Sequence, residues 1–106
     1  MQTIQNINNT IKENLAVMVY FSAPTCNVCH ALKPKLLEEL DKNFKEFKVE
    51  SVDISVEEGI APEFGVFSIP TVLIFLDGKE FLRKSRHMSV HEVIEEIRRP
   101  YEIMTS

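Results

Sequence analysis

The chain has no excess of positive charge: 12 Lys and Arg stand against 16 Asp and Glu, a formal net charge of −4. That excludes a nucleic-acid module and a polybasic membrane anchor, which both need surplus Lys and Arg. Long hydrophobic runs are missing too. The longest, Leu15–Phe21, falls far short of the ~20 apolar residues that cross a bilayer. Residues 1–6 show neither a basic segment nor the start of a secretory hydrophobic stretch, so a cytoplasmic protein is expected. Cysteine is scarce, with only Cys26 and Cys29. A disulfide-stapled scaffold needs several pairs and an oxidising compartment, and is excluded on both counts. No repeat, low-complexity tract or linker interrupts the sequence.

What is present fits an ordinary globular chain. Its 106 residues are 44% hydrophobic and 26% charged, near the average for folded domains, which excludes wholesale disorder. One domain over residues 1–106 is expected, large enough to bury a core unaided. Ile4, Ile7, Ile11 and Leu15 recur at helical spacing, predicting an amphipathic helix over residues 3–14. Residues 16–22, rich in β-branched and aromatic side chains, predict a strand buried on both faces. After a break at Ala23, Pro24 and Thr25, a helical period runs from Cys26 through Leu32, Leu36, Leu37 and Leu40 to about Asn43. Pro34 lies inside it and should kink it.

Phe47, Val49 and Val52 mark a second strand over residues 47–53, and residues 61–64 fit one helical turn. Residues 71–76 predict a third strand, Asp77-Gly78 a hairpin turn, and residues 80–84 its antiparallel partner. Ser89 and Glu92 form a capping box. The helix behind it should bury Val90, Val93, Ile94 and Ile97 and stop before Pro100. The order α-β-α-β-(α)-β-β-α predicts an α/β fold, a central mixed sheet flanked by helices on both faces.

A strand leading into C-x-x-C at a helix start is a physical arrangement for making a thiolate. The first helical turn exposes unpaired N–H groups and the positive end of the macrodipole. Both favour S⁻ at Cys26, lowering its pKa from about 8.5 toward neutrality. Cys29 follows almost one turn on, within reach of a mixed disulfide on Cys26. The reading is an exposed nucleophile, Cys26, and a resolving thiol, Cys29. Competing readings are an inert buried pair, a zinc site and haem attachment. Cys26, Cys29, His87 and His91 supply zinc ligand types, but the Cys and His pairs lie far outside the ~12–15-residue spacing of zinc fingers. Cys26, Cys29 and His30 match the C-x-x-C-H haem pattern, yet haem loading needs export and a helical fold. No metal and no cofactor are expected.

The segment from Phe21 to Pro34, with Pro24, the cysteine pair and Pro34 five residues after Cys29, resembles the redox motif and kinked helix of the thioredoxin family. Ser68-Ile69-Pro70-Thr71 resembles the segment carrying that family's cis-proline, and Asp77-Gly78-Lys79 its following hairpin. The resemblance extends from about Ile4 to Ile97. It implies a thioredoxin fold, a cis Ile69–Pro70 bond and thiol–disulfide exchange on protein substrates. Read alone, Pro70 fits either a fixed cis turn or the first residue of a strand, where a missing N–H costs nothing. In the cis form, the Ile69 amide and carbonyl would pair with an extended peptide.

Departures from the family pattern carry further expectations. The middle pair is Asn27-Val28 where typical thioredoxins have Gly-Pro, which should alter redox poise. Tyr20 stands where they keep a buried Asp that takes the Cys29 proton, and a phenol of pKa near 10 is a poor base. Ser51 replaces the Lys paired with that Asp, so both charges are lost together, which is tolerable where losing one is not. Proton acceptance then falls to water, or to His30 if its imidazole turns inward. The chain has no tryptophan, and Thr25 takes the position before the first cysteine. Arg86 stands near a rim position usually held by Gly; there it would favour the Cys26 thiolate and select acidic partners, unless it is merely a solvated edge-strand arginine.

The resemblance thus implies a protein-disulfide reductase, a redox-active centre in electron transport and redox homeostasis. It would be a cytoplasmic monomer without nucleic-acid or membrane contacts, recharged by a disulfide reductase. Substrate would meet Thr25, Ile69, Pro70 and Arg86, with Asn27, Val28, Tyr20 and His30 tuning the couple. The alternative is an adaptor that holds partners in the Pro70 groove with weak or no turnover. Glutaredoxin-like use of glutathione is less favoured, because no paired-Gly segment follows Pro70.

Overall fold

The computed structural model describes residues 2–105. Helix α1 (Ile4–Glu13) begins where the Thr3 hydroxyl accepts a hydrogen bond from the Asn6 amide, at 3.1 Å. It is followed by β1 (Ala16–Ser22), α2 (Asn27–Asn43), β2 (Lys48–Asp53), α3 (Ile60–Glu63), β3 (Thr71–Leu76), β4 (Lys79–Ser85) and α4 (Val90–Thr105). The order is the one the periodicities predict. Strands lie in the order β2-β1-β3-β4. β1 runs parallel to β2 and antiparallel to β3, which pairs antiparallel with β4. Asp77 (φ 53°) and Gly78 (φ 80°) both take left-handed conformations between the paired Leu76 and Lys79, the demand that selects Asp-Gly at a two-residue hairpin.

Alternation along the strands sorts the core into two layers. Ala16, Met18 and Tyr20 of β1, with Val72 and Ile74 of β3, face α2 and α4 through Cys29, Leu36, Leu40, Val93 and Ile97. Val17, Val19 and Phe21, with Leu73 and Phe75, face α1 and α3 through Ile7, Ile11, Ile60 and Ala61. β1 and β3 are therefore covered on both faces, the reason their sequences are almost continuously apolar. Each fully buried aliphatic side chain is worth about 1.5–3 kcal/mol. Pro34 lies within α2 without ending it. It and His30, whose carbonyl loses its helical partner, both lie on the exposed side, where water can serve that carbonyl.

One expected boundary is wrong. The last helix does not stop before Pro100: α4 continues through it to Thr105, and Val90 is half-buried rather than in the core. The cause is tertiary. Tyr101, one residue beyond the proline, is buried, with its ring centroid 4.7 Å from that of Phe44 and 6.1 Å from that of Phe47. Its hydroxyl accepts a hydrogen bond from the Glu46 amide at 3.0 Å. Burying such a ring gains about 2–3 kcal/mol, and each aromatic pair about 1 kcal/mol more. Together these offset a proline cost of about 3 kcal/mol. Tyr101→Ala should therefore lose about 3 kcal/mol in urea unfolding, with faster amide exchange at Met104 and Thr105. An unchanged unfolding midpoint would show that the ring cluster does not hold the segment.

Candidate active site

The site lies where β1 ends and α2 begins. Ala23 and Thr25 turn the chain, closed by a hydrogen bond from the Cys26 amide to the Ala23 carbonyl at 3.0 Å. Cys26 has extended backbone angles (φ −91°, ψ 99°) and is the N-cap of α2, its Sγ accepting from the Cys29 amide at 3.2 Å. A sulfur thus serves where an Asp or Ser oxygen usually would. The two cysteines, with Cα atoms 5.3 Å apart, are joined in a disulfide. They differ in access: Cys29 is 1% exposed and packs in the α2–α4 layer, while Cys26 is half-buried.

Opposite them stands Pro70, buried, with the Ile69–Pro70 peptide cis. A groove of about 240 Å³ runs between, lined by Cys26, Val28, Ile69, Pro70, Arg86 and His87. Among the described residues, no hydrogen bond engages the backbone of Ile69. The Arg86 amide donates to the Pro70 carbonyl at 2.7 Å, one step beyond the paired Thr71 and Ser85. Arg86 therefore lies one residue beyond β4, exposed, and lines the groove. It does so at φ 60°, a left-handed conformation costing a side-chain-bearing residue about 1–2 kcal/mol relative to Gly.

The Thioredoxin family model matches residues 1–99. The chain belongs to the thioredoxin family. It is 33% identical over 103 residues to the thioredoxin-like protein YdfQ of Bacillus subtilis strain 168, covering 97% of this chain and 91% of that one. It is 34% identical over 82 residues to thioredoxin of the same organism, covering 76% and 77%. Its fold matches thioredoxin 1 of Thermosipho africanus TCF52B with a TM-score of 0.75 and 33% identity, over 85% of this chain and 99% of that one. Membership of the thioredoxin family, with the Cys26–Cys29 pair at disulfide distance, makes the chain a thiol–disulfide oxidoreductase acting on protein disulfides. The family implies a reductase that reopens the pair.

The residues expected to tune the couple have distinct surroundings. Tyr20 is fully buried, and its hydroxyl donates to the Cys29 carbonyl at 2.9 Å. Burial pushes its pKa up to about 12, so at neutral pH the phenol is a donor tying β1 to α2 and no base. Ser51, its partner in the parallel register, is exposed. The His30 imidazole does not turn inward: it is exposed, with Nε2 2.7 Å from the Pro24 carbonyl oxygen. A carbonyl can only accept, so Nε2 carries the proton. Asn27, Val28 and Thr25 are exposed around Cys26.

Sequence reasoning treated His87 only as a zinc candidate and overlooked Lys33, whose Nζ stands 6.0 Å from the Tyr20 ring centroid. His87 instead lines the redox groove, and its place beside Arg86 was the available signal. Among the described residues, no group of three or more His, Cys, Asp or Glu is gathered to hold a metal ion.

Tyr20 also gives the site a pH signature. Its folded pKa of about 12 lies above the ordinary value of 10, so between those values the native state keeps a proton the unfolded chain has released. Stability is full below pH 10 and falls as pH rises through 12, by about 3 kcal/mol for two pKa units. Tyr20→Phe removes that loss and costs about 1 kcal/mol at neutral pH for the hydrogen bond. The urea midpoints of wild type and variant should converge above pH 10 and cross before pH 12; parallel curves would contradict the assignment.

Proposed function

We propose that this chain is a cytoplasmic dithiol reductant of protein disulfides, working as one domain over residues 1–106. The observation that carries the reading is the pairing of an accessible sulfur at a helix N-cap with a buried one a turn behind it. Reduced Cys26 is the nucleophile. The Cys29 amide and the helix N-terminus favour its thiolate, and the Arg86 guanidinium at the rim adds positive charge.

The thiolate attacks one sulfur of a substrate disulfide. A Cys26–substrate S–S bond forms, the substrate S–S bond breaks, and the departing sulfur takes a proton. Cys29 then gives up its own proton and attacks the Cys26 Sγ. The Cys26–Cys29 bond forms, and the second substrate sulfur leaves as thiolate and is protonated. Two electrons and two protons have passed to the substrate, and a reductase returns them to the pair. With Tyr20 held as a donor and His30 turned to Pro24, water accepts the Cys29 proton. The substrate chain lies along the groove between Thr25, Ile69, Pro70 and Arg86, its backbone meeting the free amide and carbonyl of Ile69 in one residue of strand pairing. Asn27 and Val28, at the start of α2, set the redox poise. The site works as a monomer, without nucleic acid or membrane; no described helix is long and apolar enough to cross a bilayer.

Two measurements test this reading. Insulin reduction driven by dithiothreitol should be accelerated by the wild type and abolished by Cys26→Ser. An intact fold without acceleration would support an adaptor instead. Arg86→Glu should raise the Cys26 pKa and slow reduction of a disulfide peptide with acidic flanks about fivefold relative to a neutral one. Equal rates and an unmoved pKa would remove Arg86 from the site.

A further inference from the structure

Redox chemistry leaves Arg83, on the edge strand β4, unexplained. Its guanidinium makes four hydrogen bonds: Nη1 to the Gly65 carbonyl (2.9 Å), Nη2 to the Phe64 carbonyl (2.7 Å) and Glu80 Oε1 (2.9 Å), and Nε to Glu80 Oε2 (3.0 Å). Residues three apart on a regular strand face opposite ways. Here the register slips between Ile74 and Phe75, so that Phe75 pairs with Glu80 while Ile74 pairs with Leu82. Phe81 is the extra residue of a β-bulge, and the bulge returns Glu80 and Arg83 to one face. That is the face of their partners Phe75 and Leu73, which pack on the α1–α3 side. Glu80 orients the guanidinium from one side, and the remaining N–H groups reach the carbonyls where the chain leaves α3.

Those carbonyls open the connection that carries the substrate-facing residues. Gly65 turns it with φ +68°, and the Val66 amide bonds the Ala61 carbonyl at 2.9 Å. At the far end the Thr71 hydroxyl holds the Ser68 carbonyl (2.7 Å), and the Arg86 amide holds that of Pro70 (2.7 Å). Between the two anchors lie Phe67, 84% exposed, and Ile69 with its backbone unpaired. β4 and the residue that follows it therefore grip this connection at both ends, through Arg83 and through Arg86, and leave its middle open to a partner. We propose that Arg83 is a positioning residue for protein substrates: through Phe64 and Gly65 it sets where the Ile69 backbone meets an incoming chain. The proposal rests on the redox reading of the groove. A small disulfide needs only Cys26 and draws nothing from this anchor, whereas a polypeptide that pairs with Ile69 does.

The test compares Arg83→Met with wild type on three readouts. In insulin reduction, KM should rise about fivefold, the scale of a lost charge-assisted hydrogen bond, with kcat within about twofold. Single-turnover reaction of the reduced protein with 5,5′-dithiobis(2-nitrobenzoate), and the midpoint potential of the cysteine pair, should stay at wild-type values. Amide exchange at Gly65 and Val66, whose amides bond the Pro62 and Ala61 carbonyls, should quicken about tenfold. An unchanged KM, or equal loss on insulin and the small disulfide, overturns the proposal. Should Arg83→Met fail to fold, Glu80→Ala, which leaves the carbonyl bonds but frees the guanidinium, should raise KM about twofold; no rise overturns it. If wild type itself does not reduce insulin, the redox reading has failed. Exchange at Gly65 and Val66 in the variant then decides the anchor alone, and no change there overturns it.

Discussion

A helix cannot satisfy its own first N–H groups, and in this protein a sulfur atom takes one of them. Because Cys26 is the N-cap of α2 and its Sγ accepts from the Cys29 amide, the electrostatics of the helix end act directly on a reactive atom. The same turn fixes the inequality of the pair. Cys29, one turn on, points into the layer between the sheet and helices α2 and α4 and is buried, while Cys26 stays at the edge of the groove. The rest of the architecture serves that junction. β1 is buried on both faces, which gives α2 a firm starting point, and the Tyr20 hydroxyl ties the strand to the Cys29 carbonyl.

That tie also explains how the chain does without an ionised group beneath its cysteines. A buried carboxylate and ammonium must be kept or lost together, since a lone survivor carries a desolvation cost of several kcal/mol. At neither position does a charge remain: Tyr20 is a neutral phenol, and its register partner on β2, Ser51, is an exposed hydroxyl. The phenol keeps a polar contact with α2 while remaining neutral, its pKa held near 12 by burial. The buried cysteine is surrounded by structure rather than by a base.

The groove opposite is built by a different device. Its floor is the chain entering β3 through the cis Ile69–Pro70 bond, and its rim is the chain leaving β4 at Arg86. A bulge in β4 reverses the alternation of the strand and brings Glu80 and Arg83 onto one face. The pair is half open to water, and Glu80 is held below the usual carboxylate range by its hydrogen bonds to Arg83. An edge strand, elsewhere a liability for unwanted pairing, here organises the connection from α3 to β3.

Local order along the chain determined much of this protein by itself. The apolar periods of α1, β1, β3 and α4, the Asp77-Gly78 turn, and the cysteine pair after a strand and a break are written within a few residues, because propensity, turn chemistry and amphipathicity act over that range. Three features were decided only by tertiary structure. α4 runs past Pro100 because Tyr101 finds Phe44 and Phe47, residues distant in the chain. His30 faces Pro24 rather than Cys29 because of how the turn before α2 folds back. Arg83 grips Phe64 and Gly65 because a bulge, set by pairing with β3, changed which way it points. In each case the deciding partner lies on another segment, and a side chain's direction depends on backbone geometry that no local period encodes.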